Sequence, residues 1–167
     1  MSSKNKRLPN AVLTATPLRI SFVGGGTDLP AYYEKHEGGV ISSTIDKYIY
    51  VTAKRHSPLF KEAYRLNYSK TEHVQSLDDI ENDIARECIR LVPVIPPLYI
   101  GTAADLPANS GLGSSSSFAV GLLQALHLLR GERVSAAQLA AEACEVEINI
   151  LGNPIGKQDQ YAAAFGG

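Results

Sequence analysis

The sequence predicts an α+β domain, and three observations carry that prediction. β-forming residues gather in the N-terminal part, in Ala11–Val23, 39–54 and 64–69, bounded by glycines and polar turns. Helical periodicity governs the C-terminal part, where Phe118, Leu122, Leu126 and Leu129 recur at i, i+4, i+8 and i+11. The two regimes meet where the apolar run Leu98–Ala104 enters a glycine-serine stretch that opens the helix, the order strand, loop, helix.

A chain of 167 residues is long enough for one domain with a sizeable core. Its 16 basic and 17 acidic residues, net charge −1, supply no polyanion-binding surface and argue against a nucleic-acid partner. Cys88 and Cys144 have neither a disulfide framework nor metal-ligand spacing and are expected as buried thiols in a reducing compartment. No apolar run approaches the roughly 18 residues of a membrane span. The N-terminus MSSKNKRLPN lacks the apolar core of a leader. A cytoplasmic protein without a membrane partner is the expectation. Residues 1–10, polar and basic, predict a flexible start, and 11–167 the folded domain.

Taken in order, Ala11–Val23 is a strand that runs into Gly24-Gly25-Gly26-Thr27-Asp28. A helix over 29–36 follows, with Thr27 or Asp28 as its cap, Pro30 in its first turn and Gly38-Gly39 at its end. The triple glycine is not a dinucleotide fingerprint, because the sixth position is Leu29 and no clean βαβ unit follows. Residues 39–54 form one or two strands with Asp46-Lys47 as the candidate turn, and 64–69 another strand. Residues 78–91 are a helix that Pro93, Pro96 and Pro97 bring to an end. His36, His56 and His73 share no ligand spacing and are expected at the surface.

The stretch 107–117, PANSGLGSSSS, holds the strongest chemical signal. Gly111 and Gly113 permit a tight turn and a close approach to a ligand. The serines fall in the first helical turn, where backbone N–H groups lack intrahelical partners and the helix carries about half a positive charge. Such a site binds phosphate, and its hydroxyls offer one ligand for Mg²⁺. A plain serine cap after a glycine turn is the simpler alternative. No Lys follows the glycines, so the loop is not a Walker A motif.

Ser135 with Gln138 reads as a capping box for a helix running to about Leu151. At about 100° per residue, Leu139, Ala140, Ala143, Cys144, Ile150 and Leu151 share an apolar arc, with Glu142 and Glu145 on the solvated side. Glu147 falls inside the arc, where a carboxylate is costly unless it pairs with a metal or with a basic side chain. By residue type alone, Asp28 and Asp159 are also explained as helix caps and Arg19 as a solvated strand residue.

Pro107-x-x-x-Gly111-Leu112-Gly113-Ser114-Ser115 resembles the phosphate loop of the GHMP small-molecule kinases, whose members usually carry Ala-Ala at Ser116 and Ser117. The segment from Pro17-Leu18-Arg19 to Gly24-Gly25-Gly26-Thr27-Asp28 resembles the N-terminal motif of the sugar-1-kinase branch. Its GGGTD form looks most like the D-glycero-D-manno-heptose 7-phosphate kinases, Gly25-Gly26 standing where galactokinases carry Glu-His. Gly152-Asn153-Pro154-Ile155-Gly156 through Asp159-Gln160 is similar to a further family segment. In the family the Mg²⁺-binding Glu lies seven residues before that Pro, which is Glu147 here, and the catalytic Asp corresponds to Asp159.

The resemblance implies a GHMP kinase N-terminal domain, ribosomal protein S5-like, with a mixed or antiparallel sheet and helices on one face. It implies ATP and Mg²⁺ as cofactors. Pro107, Asn109, Gly111, Leu112, Gly113, Ser114, Ser115 and Ser116 would bind nucleotide, and Ser115 and Glu147 the metal. Arg19, Gly25, Gly26, Thr27, Asp28 and Asp159 would bind a sugar or sugar phosphate, with Asp159 catalytic, assisted by Lys157 or Arg19. The implied reaction phosphorylates the anomeric hydroxyl of the heptose 7-phosphate or a related sugar; a galactokinase- or fucokinase-like substrate is the alternative. Family members also carry a second, ferredoxin-like half. The chain therefore corresponds to the N-terminal half only, with that half or a homo-oligomer as expected partner. A non-catalytic nucleotide-binding half and an RNA-binding module are the rival classes, the latter opposed by the neutral charge.

Overall fold

The computed structural model describes residues 8–108 and 110–167, so that residues 1–7, for which a flexible start is the expectation, and the nucleotide-binding expectation at Asn109 lie outside the described residues. Five strands form one mixed sheet: β1 (Ala11–Val23), β2 (Ile41–Arg55), β3 (Tyr64–Asn67), β4 (Thr71–Val74) and β5 (Leu98–Ala104). Their spatial order is β1-β2-β5-β3-β4. All neighbours are antiparallel except β3 and β5, which run parallel. The helices are α1 (Pro30–Tyr33), α2 (Asp83–Leu91), α3 (Ser114–Leu129), α4 (Ala136–Cys144) and α5 (Gln158–Phe165). No helix among the described residues is long and apolar enough to cross a membrane.

Alternation in the strands decides which face is covered. Ile49, Val51 and Ala53 of β2 and Leu98 and Ile100 of β5 point inward, against Leu122, Leu123, Leu126 and Leu129 of α3. The helix lies unusually close to β1 at Gly121, where an added Cβ would come within 2.6 Å of Thr16 Oγ1. Thr14 Oγ1 donates to Gly121 O at 2.9 Å across the same contact. A register shift between Pro17 and Arg19 re-aims the end of β1, so that Leu18 stays in the core while Arg19 turns toward α5.

Several local expectations change. Asp46-Lys47 makes no turn, since β2 runs unbroken and pairs along β1. β4 escapes a hydrophobic-pattern reading because its inward residue is Glu72, whose carboxylate accepts from Tyr68 Oη and from the N–H groups of Glu81 and Asn82. The helix expected over 78–91 is a 3₁₀ turn, Leu77–Asp79, followed by α2 capped by the Asn82 side chain. α1 begins after Leu29 with no side-chain cap, so neither Thr27 nor Asp28 caps it. Thr27 Oγ1 instead donates to Gly24 O at 2.8 Å and accepts from Gly39 N at 3.0 Å.

Ser135 caps α4 as expected, through Gln138 N at 3.2 Å, but the Gln138 amide reaches Glu142 rather than returning to the cap. Glu142 is not simply solvated, because it also faces His127 Nε2 at 2.9 Å, while Glu132 takes the other ring nitrogen at 2.7 Å. The helix expected to Leu151 changes into a π-helical turn, Glu145–Ile150. The wider turn rotates Ile150 out of the apolar arc, leaving it 46% exposed. His36 and His73 lie at the surface. His56 does not: its ring stacks on Phe60 at 3.8 Å, and both ring nitrogens are buried without a partner. Cys88 and Cys144 are buried free thiols, and burial pushes the Cys144 thiol up to about 11.

Candidate active site

The loop between β5 and α3 turns on Gly111 and Gly113, at φ +73° and +78°. Both angles lie in the left-handed region that glycine adopts without a Cβ penalty. Gly113 occupies the N-cap position of α3 and no side chain caps this helix, so its first-turn N–H groups are left for a ligand. In front of them opens a cavity of about 580 Å³ lined by Arg19, Gly111, Gly113, Ser114, Ser115 and Asp159 on the loop side. Ser116 and Ser117 turn away and are buried, Ser117 Oγ donating to Pro17 O at 2.8 Å.

At the same wall, Arg19 closes a fork onto Asp159, Nε to Oδ1 and Nη2 to Oδ2, both at 2.7 Å. Its third nitrogen, Nη1, donates to Gly111 O at 2.9 Å, and its backbone N–H to Leu112 O at 3.1 Å. One arginine therefore ties the glycine loop to the carboxylate on α5. Asp159 lies in the first turn of α5 with its carboxylate committed to Arg19, and the cap position belongs to Lys157. The Lys157 ammonium sits over the Tyr33 ring, 4.3 Å from its centroid, as a cation–π pair.

Glu147 is wholly buried on the π turn and accepts from Gln160 Nε2 at 2.7 Å. Its other oxygen, Oε1, has no partner, and Ser116 Oγ and Gln160 Oε1 are also buried and unpaired. Burial raises the Glu147 carboxyl above the ordinary carboxylate range, opposed by the nearby Ser116, Gln160 and Ser115 groups. The hydroxyls are thus near enough to favour the charged form, yet Ser116 Oγ and Oε1 are left open for a further group. No basic side chain pairs with Glu147 among the described residues, so the salt-bridge alternative finds no partner there. An unpaired buried carboxylate oxygen beside two serines suits a hard cation. Among the described residues no three His, Cys, Asp or Glu side chains converge, so serine and ligand oxygens would complete such a shell.

The glycine-rich segment after β1 lies beside the same helix. Asp28 Oδ2 accepts from Gln158 N at 3.0 Å, and Ser21 Oγ donates to Gln158 Oε1 at 2.8 Å. Asp28 Oδ1 is buried without a partner. Gly156 leaves room for the Asp28 carboxylate, which an added Cβ would strike. Gly26 has open space around it, whereas a Cβ on Gly25 would press on Gln158 Nε2 at 3.3 Å. Thus Arg19, Gly111, Gly113, Ser114, Ser115 and Asp159 meet at the cavity wall. Pro107, Leu112, Ser116, Gly25, Gly26, Thr27, Asp28, Glu147 and Lys157 are outside its lining.

The cavity is also lined by Ile49, Tyr68, Ser69, Asn82, Thr102 and Phe118, none of which the sequence had placed in a site. Strand alternation could have aimed Thr102 inward with Leu98 and Ile100, and Phe118 follows Ser114 by one helical turn. Tyr68 and Asn82 had no such signal, because Tyr68 follows β3, which pairs in parallel with β5, and Asn82 caps α2 with its N–H held by Glu72. Burial and the bond to Glu72 push the Tyr68 hydroxyl up to about 12, so it stays protonated as a donor.

Residues 80–167 match the family described as the GHMP kinases N terminal domain. The chain is 35% identical to the D-glycero-alpha-D-manno-heptose 7-phosphate kinase of Campylobacter jejuni, over 93% of this chain and 49% of that protein. It is 28% identical to a galactokinase of Pyrococcus furiosus, over 93% of this chain and 44% of that one. Among solved structures, a D-glycero-D-manno-heptose 1-phosphate kinase from Bacteriodes thetaiotaomicron superposes with a TM-score of 0.81 at 31% identity, covering 93% of this chain and 54% of its own. The chain thus spans about half the length of the curated relatives it matches.

Proposed function

The chain belongs to the GHMP kinase family, and we propose that residues 11–167 form the ATP-binding half of a sugar kinase. The reaction moves the γ-phosphoryl group of ATP to the anomeric hydroxyl of D-glycero-D-manno-heptose 7-phosphate or a close relative. The observation that carries this reading is the Arg19–Asp159 fork held against the glycine loop of the same cavity. The heptose is favoured by the GGGTD segment and by the similarity to the Campylobacter enzyme. A galactose-like substrate is the second reading, favoured by the similarity to the Pyrococcus galactokinase.

In this mechanism the α3 N–H groups, Ser114 and Ser115 hold the nucleotide phosphates, and the apolar wall of Ile49 and Phe118 receives the base. Ser115 and Glu147 would hold Mg²⁺, which neutralises charge on the β- and γ-phosphoryl oxygens. Asp159 accepts the hydroxyl proton as the sugar oxygen bonds to phosphorus and ADP departs. Arg19 keeps the carboxylate aimed. General-base help supplies about 10²–10⁴-fold, so positioning and electrostatics supply the larger share. Gly25, Gly26, Thr27 and Asp28 shape the sugar side of the site, with Asp28 Oδ1 free to accept a hydroxyl.

A second half would complete the pocket, and exposed Phe22, Ile41 and Phe165 offer apolar surface for it or for a second copy of this chain. The use of ATP and the two free thiols fit a cytoplasmic setting. ³¹P NMR with Mg-ATP and a panel of the heptose 7-phosphate, galactose, fucose and mannose tests the reading, with and without a relative's second half in trans. A sugar 1-phosphate formed with wild type and lost in Asp159→Asn supports it. No product on any sugar with the second half present contradicts it.

A further inference from the structure

We propose that Gln160 is a positioning residue that fixes which oxygen of Glu147 is offered to the metal; this rests on the kinase reading above. Gln160 and Glu147 are both fully buried, one on α5 and one on the π turn, and Gln160 Nε2 donates to Glu147 Oε2 at 2.7 Å. A carboxamide N–H can only donate, so it engages one carboxylate oxygen and leaves the other, Oε1, as the free acceptor. Oε1 has no partner, and the Ser116 hydroxyl is a second buried, unpaired oxygen. Three consecutive residues at the start of α5 are each fixed by a different partner: Gln158 by Ser21, Asp159 by Arg19 and Gln160 by Glu147. The same turn of helix thereby sets the carboxylate that takes the hydroxyl proton and the carboxylate that holds the metal. Replacing the amide by an apolar group leaves both Glu147 oxygens unpaired and free to turn. Partners of this kind typically hold about 10–100-fold of metal affinity.

The test titrates Mn²⁺, standing in for Mg²⁺, into the protein with a non-hydrolysable ATP analogue and reads bound ion by EPR. Wild type, Gln160→Met and Gln160→Asn are compared; the last keeps an amide that is one methylene too short. The inference expects Mn²⁺ to bind about 10–100-fold more weakly in both variants. Analogue affinity in EDTA should be unchanged, since no phosphate-loop contact is touched. Unchanged Mn²⁺ affinity in a folded variant overturns the inference, whatever happens to its Tm, because Gln160 would then only fill space. If Gln160→Met does not fold, Gln160→Asn reads the same quantity, and failure of both to fold assigns Gln160 to the core and also overturns the inference. If wild type takes up no Mn²⁺ beyond that held by the free analogue, Glu147 is no metal ligand. That outcome removes the metal site itself and appears in the wild-type arm alone.

Discussion

Arg19 and Asp159 stand 140 positions apart in the chain and meet through two parallel hydrogen bonds of 2.7 Å. The fork demands a planar guanidinium, which lysine cannot supply. Arg19→Lys should therefore cut turnover by about 10²-fold through misplacement of the carboxylate, while ATP-analogue affinity measured by calorimetry stays close to wild type. A turnover equal to wild type would mean that the pair serves only the fold.

Gly113 should resist substitution for a backbone reason. Its φ is +78°, and an added Cβ would make only ordinary contacts, 3.4 Å from Arg19 Cγ and Asp159 Oδ2. Gly113→Ala is expected to lose about 1–2 kcal/mol in urea unfolding, the cost of left-handed backbone for a residue with a Cβ. It should also bind nucleotide more weakly. Stability equal to wild type would show that the loop relaxes at no cost.

Glu147 gives the chain a pH dependence that can be signed in advance. Burial raises its carboxyl above the unfolded value, so the folded chain holds a proton that the unfolded chain releases. Ionising it as pH rises from the unfolded value, about 4.3, through the raised one costs the fold stability. Without metal, Glu147→Gln should melt above wild type at pH 8, and the two should converge below about pH 4. Thermal melts in EDTA across that range check it. A variant that melts below wild type at pH 8 would contradict the sign.

Phe118 lines the cavity one helical turn beyond Ser114 on α3. Phe118→Ala should raise KM for ATP roughly tenfold, equivalent to about 1.4 kcal/mol, with kcat little changed, the pattern of a contact made equally in the ground and transition states. Steady-state kinetics with the sugar in excess measure both constants.

What could be read from the residues were features that local chemistry decides. β1 and β5 follow from their β-forming runs, the Gly111–Gly113 turn from its glycines, and buried Glu147 from a carboxylate in an apolar arc. The rest depends on distant partners. β4 is hidden because Glu72 is buried among donors from Tyr68, Glu81 and Asn82. The π turn that exposes Ile150 has no local sign in the sequence. By residue type alone Arg19 reads as a solvated strand residue; only the family resemblance marks it as a site residue, and the β1 register shift that turns it toward α5 has no local sign. Asp28, by residue type alone, reads as a cap, the resemblance marks it as a sugar-binding residue, and its contact with the Gln158 N–H, for which Gly156 makes room, depends on a distant segment.

Hydrogen exchange read by mass spectrometry, with and without the Mg²⁺ complex of a non-hydrolysable ATP analogue, tests the central claim that this cavity holds nucleotide phosphates on the glycine loop and α3. The account predicts slowed exchange at residues 111–118 and at the cavity strand Leu98–Ala104, lost in Gly113→Val. Binding that protects other segments and leaves 111–118 unchanged, or no binding at all, would contradict it.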